Sequence, residues 1–157
     1  MPGSDYAFTF EVKELPENWV RTVGKGMERF YRRWLDLIAA FILRESLLAF
    51  DKQQQPGGGA WDALSDDYAA RKEAAGKSPL ANIWSGALRK SLSIDTKGTG
   101  LEKEAHVGTT AYYGRWIQEG TKNNLPARPY MIKESAARRK GQSIANRLFK
   151  DTVKGIF

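Results

Sequence analysis

Residues 6–12 alternate, with Tyr6, Phe8, Phe10 and Val12 on one side and Ala7, Thr9 and Glu11 between them. Period two with aromatic and β-branched residues predicts a strand. Leu15-Pro16-Glu17-Asn18 breaks that run and can start a helix. From Trp19 to Phe50 the spacing changes to three and four. Val20, Val23, Met27, Phe30, Trp34, Leu37, Phe41 and Leu48 form a stripe, widened by Tyr31, Leu35, Ile38 and Ile42, with Arg44 its one break. At 1.5 Å per residue such a helix is roughly 45 Å long. That exceeds the radius of a domain of this length. The stripe is therefore read as mostly core, with part of the helix meeting another subunit.

The rest of the chain is punctuated by glycine and proline. Gln53 to Gly59 has the composition of a flexible loop, placed at about 51–60. Ser65 can cap a short helix that has Asp66 and Asp67 in its first turn, runs to about Ala75 and stops at Gly76. A second short helix is expected within Leu80 to Lys90, with Ser85-Gly86 inside it. Ser91 to Thr96 and Leu101 to Val107 alternate around Gly98-Thr99-Gly100, which predicts a hairpin. Tyr112 to Glu119 reads either as a further strand or as a short helix. Gly120 to Leu125 is polar loop. Pro126-Ala127-Arg128-Pro129 must be extended, because the residue before a proline is pushed out of the helical region. A basic helix follows from Ile132 to about Phe149. The expected fold is a single α+β domain over 1–157. Its antiparallel sheet combines the N-terminal strand, the central hairpin and a further strand, packed against the long N-terminal helix and the basic C-terminal helix.

Composition narrows the chemistry. The chain has no cysteine and one histidine, His106. Disulfides, thiolate sites and zinc sites built from several histidines are excluded. The net charge is +7, and from Arg128 to Phe157 there are eight Lys or Arg against two acids. Such a tail suits an acidic partner, either DNA phosphate or an acidic protein surface. The N-terminus lacks the basic and apolar runs of a secretory signal, and the apolar stretch Leu35–Leu43 is too short to span a bilayer. Cytoplasmic synthesis without membrane partners is expected.

Catalytic motifs are weak throughout. Gly57-Gly58-Gly59 lacks the GK[ST] continuation of a phosphate-binding loop. Ser85-Gly86 lacks the GxSxG context of a nucleophile elbow. Asp66 and Asp67 are explained by helix capping. Glu11-Val12-Lys13 is an acid-x-Lys triplet of the kind some nucleases carry on a strand, without a clear upstream acid. His106 within an alternating strand reads as structural. No catalytic, cofactor or metal site is assigned.

Five pieces nevertheless occur in a recognisable order. They are Trp61-x-x-Leu64-Ser65-x-x-Tyr68-x-x-x-Lys72, Ile83-Trp84-Ser85-Gly86-x-Leu88-Arg89-x-Ser91, Val107-Gly108, Tyr112-Tyr113 with Ile117-Gln118-Glu119-Gly120, and Pro126-Ala127-Arg128-Pro129-Tyr130. Together, over roughly residues 60–135, the chain resembles the phage virion morphogenesis or tail-completion proteins, which include minor tail and head–tail joining components. Two departures stand out: family members often carry a histidine near Trp116 to Gln118, and Phe is common where Tyr130 stands. The resemblance implies a small α+β subunit, without catalysis or cofactor, acting in a ring at the head-proximal end of a phage tail. Its partners would be copies of itself, possibly a hexamer, together with tail tube or tail terminator and head–tail connector proteins. It would be located in the virion tail or neck, and in the host cytoplasm during assembly. Candidate interface residues are Arg128, Tyr130, Trp116, Arg138, Arg139 and Lys140. For Pro126–Tyr130 a purely structural role and an interface role both remain open. The alternative is a basic nucleic-acid-binding module of phage or prophage origin, and a nuclease-like enzyme is the third reading.

Overall fold

The structure, a computed structural model, describes residues 8–12, 26–122 and 125–154. Strand β1 spans Phe8–Val12 and helix α1 spans Met27–Lys52. Short helices α2 and α3 cover Asp66–Ala74 and Ala87–Ser91. Strands β2 (Leu92–Lys97) and β3 (Glu104–Thr109) follow, joined through a 3-10 turn at Gly100–Glu102. Helices α4 (Gly114–Glu119) and α5 (Glu134–Lys154) complete the order. The sheet is antiparallel with order β1-β3-β2, Phe8 and Leu92 both standing opposite Thr109. The α+β architecture expected from the sequence is formed. The predicted Tyr6 and Trp19–Val23 positions lie outside the described residues.

Helix α1 joins the sheet to α5, packing on β2 and β3 and also on α5. It therefore needs a wider apolar face than a surface helix. Its buried residues are Met27, Phe30, Tyr31, Trp34, Leu35, Ile38, Ala39, Ile42, Ser46, Ala49 and Phe50. The centre of the buried stripe is thus the set Tyr31, Leu35, Ile38 and Ile42 that the periodicity placed at its margin, whereas Leu37 and Phe41 are only half-buried. Ser46 is the polar member; its hydroxyl donates back to the Ile42 carbonyl at 2.9 Å. Gln53 ends the helix in the left-handed region at φ 52°.

At the other seam α5 approaches α1 closely. The Trp34 indole donates to the Gly141 carbonyl at 2.8 Å, and a Cβ on Gly141 would stand 3.4 Å from that ring. The missing side chain lets the indole lie against the helix backbone, which offsets the usual cost of glycine inside a helix.

Two local expectations are corrected. The helix expected within Leu80–Lys90 is only Ala87–Ser91, because Gly86 sits at φ 75° and starts it rather than lying inside it. The further strand over Tyr112–Glu119 is not formed. The chain reverses directly after β3, where Gly114 donates to the Ala111 carbonyl at 2.9 Å, and continues as α4. Residues 53–61 close on themselves through Gln55 to Gly59 and Trp61 to Gln53 backbone bonds.

Candidate functional site

The segment 126–131 is held in place by groups drawn from three parts of the chain. Its extended shape leaves its own amides and carbonyls without helical or sheet partners, so they must be satisfied otherwise. Arg128 N–H donates to the Ile117 carbonyl at 2.9 Å. The Gln118 side-chain oxygen accepts from both Tyr130 N–H and Met131 N–H at 3.0 Å. The Trp61 indole donates to the Pro129 carbonyl at 2.9 Å, while its ring meets Phe50 edge-on at 5.5 Å.

Arg128 and Tyr130 face inward. The Arg128 side chain, 5% exposed, donates through Nε to the Asp62 carbonyl at 2.9 Å. Burial lowers its pKa, an effect opposed by the Asp62 carboxylate and the Tyr68 hydroxyl. Tyr130 is fully buried beside Phe50, at 5.4 Å between ring centres. Its hydroxyl has no hydrogen-bond partner among the described residues, and burial pushes its pKa up. Gly114 is required here, because a Cβ would lie 2.6 Å from Thr109 and 2.8 Å from the Tyr130 hydroxyl.

Beside Arg128 opens a cleft of about 350 Å³. Four of the five motif pieces meet in it. Leu64, Tyr68 and Lys72 come from the first, Ile83, Trp84, Ser85 and Leu88 from the second, Tyr113 and Ile117 from the fourth, and Arg128 from the fifth. Lys72 is 3% exposed, and its ammonium donates to the Leu80 and Ile83 carbonyls at 2.6 and 3.1 Å. Burial, and next the neighbouring Arg128 charge, push its pKa down. The motif residue Arg89 instead ties α3 to α1, with a two-pronged ion pair to Asp51 at 3.1 Å for each bond. Ser91 is hydrogen-bonded to Thr109.

The cleft rim continues into an exposed aromatic surface. Trp84 and Trp116 are each 51% exposed and Tyr112 is 74% exposed. The Tyr112 ring meets Tyr113 and Trp116 edge-on at 5.4 and 5.7 Å. Isolated exposed aromatics are ordinary, whereas Tyr112, Tyr113 and Trp116 form one contiguous group that adjoins the cleft through Tyr113.

The basic residues lie on α5, away from the cleft lining. Arg138, Arg139 and Lys140 are all exposed. Arg138 pairs with Glu134 at 2.8 Å, and Lys140 lies over the Phe41 ring at 5.2 Å. Arg139 makes no ion pair among the described residues. The structure therefore divides the six residues expected at an interface into buried Arg128 and Tyr130 and exposed Trp116, Arg138, Arg139 and Lys140. It adds Lys72, Trp84, Tyr112 and Gln118, for which the only sequence signal was membership of the motif. Glu11 stands opposite His106 in the sheet, and Lys13 lies outside the described residues. Among the described residues no group of three or more His, Asp or Glu is placed to hold a metal ion. None of the described helices is long and apolar enough to cross a membrane.

Four of the family-like motif pieces thus meet at one cleft on a small α+β scaffold. The chain belongs to the phage virion morphogenesis family, whose model matches residues 13–150. A Haemophilus influenzae protein described as Mu-like prophage FluMu G protein 1 is 33% identical over 96 residues, which is 60% of this chain and 62% of that relative. The matched region thus spans less than two thirds of that relative's length. No solved structure matches the chain.

Proposed function

We propose that the chain is a tail-completion subunit that forms a ring at the head-proximal end of a phage tail and prepares that end for head joining. Membership of the virion morphogenesis family supports a structural assembly role. The observation that carries the finer reading is the exposed Tyr112–Trp116 aromatic pair, which adjoins the cleft through Tyr113. Buried aromatic anchors dominate interface energetics, and Trp and Tyr are the commonest of them. Heterologous contacts between identical subunits close a ring when the rotation closes, with a hexamer expected by analogy with tail symmetry. In this reading Arg128 and Tyr130 shape the surface from beneath, Trp116 contacts a neighbour, and Arg138, Arg139 and Lys140 line the DNA channel or meet an acidic protein. The mass of the purified chain, alone and mixed with its neighbouring tail protein, tests the proposal. A species several times the monomer mass is expected in at least one sample; monomer in both overturns it.

A second reading, a nucleic-acid-binding module, draws on the six basic against two acidic residues of α5. It requires salt-dependent DNA affinity that falls when Arg138, Arg139 and Lys140 are neutralised together.

A further inference from the structure

We propose that the cleft receives an extended segment of a partner virion protein in which a carboxylate is flanked by apolar or aromatic side chains. This deepens the assembly role proposed above and rests on it for the class of partner. The chemistry of the partner comes from the cleft itself.

The floor of the cleft holds two cations and its lining holds no acid. Lys72 and Arg128 both line it, along with Asn82, Ser85 and apolar or aromatic residues. Lys72 gives two of its ammonium protons to carbonyls, leaving one. Arg128 uses only Nε, and its two terminal nitrogens make no hydrogen bond among the described residues. The Asn82 Nδ2 is buried without a partner. Asn82 lies in the chain between Leu80 and Ile83, the residues whose carbonyls hold the Lys72 ammonium, and Lys72, Asn82 and Arg128 all line the one cleft.

The like charges of Lys72 and Arg128 disfavour each other, Asp62 outside the lining offsets part of that cost at Arg128, and an arriving carboxylate would lower it further while accepting charge-assisted hydrogen bonds. A carboxylate alone would not fill the space. The walls are Leu64, Leu88, Ile117 and Leu125, and the exposed Tyr68 and Trp84 rings stand at the mouth. Apolar neighbours of the acid would bury against them. A nucleic-acid strand fits less well. It brings a charge at every nucleotide and is met by an open basic track, and the basic track of this molecule lies on α5, none of whose residues lines the cleft.

The test uses the full-length chain and capped dodecapeptides with one central Asp or Glu between Leu, Ile, Phe or Tyr. Each is compared by fluorescence anisotropy with its Asn or Gln twin and with oligothymidylate. The tightest acidic peptide is expected to bind about tenfold or more tightly than its amide twin, the scale of a hydrogen bond to a charged group. Lys72→Gln should bring that ratio close to one. Because Lys72 is buried, Asn82→Asp provides a variant that need not weaken the fold. It places a carboxylate among the same donors, and Asp tolerates the left-handed backbone found there, φ 58°. It should abolish the acid preference with no fall in the thermal midpoint. Equal affinity for acidic and amide peptides, no binding by any peptide, or preference for oligothymidylate overturns the proposal. So does self-association that Asn82→Asp abolishes in the absence of peptide binding, which would give the cleft to a second copy. Since peptide binding is read on the isolated chain and ring formation by mass, either can fail without the other.

Discussion

Along α1, burial follows the helical period. Trp34, Leu35, Ile38, Ala39 and Ile42 are buried against the sheet on one side and α5 on the other, and the polar groups among the helix's buried residues are few: the Ser46 hydroxyl, the Trp34 indole and the Tyr31 hydroxyl, which donates to the Lys103 carbonyl at 2.6 Å. In residues 126–131, Arg128, Tyr130 and Met131 are buried as deeply, but the segment is organised by hydrogen bonds with Trp61, which donates, and with Asp62, Ile117 and Gln118, which accept. The first region is held by area removed from water, which is non-directional and tolerant of detail. The second is directional, and each partner lost leaves a buried donor or acceptor behind. The residues that carry the family resemblance concentrate in the second region and in the cleft beside it. Apolar burial stabilises the scaffold, and the hydrogen-bonded segment fixes the shape of a surface.

Substitutions can break this comparison, and the largest effect is expected in the seam. Trp34→Ala removes a buried ring packed against Tyr31 and Gly141 and should cost about 3–5 kcal/mol of stability in denaturant unfolding. Gln118→Ala strips the shared acceptor from the Tyr130 and Met131 amides and should cost about 1–3 kcal/mol. Gln118→Glu, which keeps the acceptor, should recover most of that. If Gln118→Ala is neutral, the second region is not held as described.

Tyr130→Phe sharpens the contrast with the smallest effect. The hydroxyl is buried without a partner, so its removal should be neutral or stabilising by up to about 1 kcal/mol. It also has a pH signature. Burial raises the Tyr130 pKa, so the native state keeps a proton that the unfolded chain loses above the ordinary tyrosine value of about 10. Stability therefore falls as pH rises beyond that value. Tyr130→Phe should flatten the fall, leaving the share of Tyr31, whose pKa is also raised. Lys72 acts in the opposite sense. Its pKa is lowered, so the native state releases a proton before the unfolded chain does, and stability is gained as pH rises toward the ordinary lysine value of about 10.4.

What the sequence could convey differs between the two regions for the same reason. Period 3.6 located α1 and α5, and period two located the hairpin, because each is a repeating exposure pattern along one segment. The centre of the α1 stripe was misplaced toward Leu37 and Phe41, since a helix covered on two sides has a broad apolar face and the period alone does not fix its midline. The break at Gly86 and the reversal at Gly114 depend on backbone geometry and on side chains far along the chain, so the sequence left strand and short helix both open where α4 forms. The extended character of Pro126–Pro129 followed from proline sterics alone. The partners of that segment did not, because Trp61 and Gln118 reach it from separate elements. Lys72 carries no sequence signal beyond its place in the motif; only the fold shows its ammonium turned inward onto two carbonyls.

The most direct test of the account is co-sedimentation of the chain with purified tails that lack it. Wild-type protein and an Arg139→Ala control are expected to pellet with the tails. A Tyr112→Ser, Trp116→Ser double variant, altered only at exposed rings, should unfold at the same temperature as wild type yet remain in the supernatant. Pelleting of the double variant at the wild-type level would contradict the assignment of the aromatic rim as the working surface.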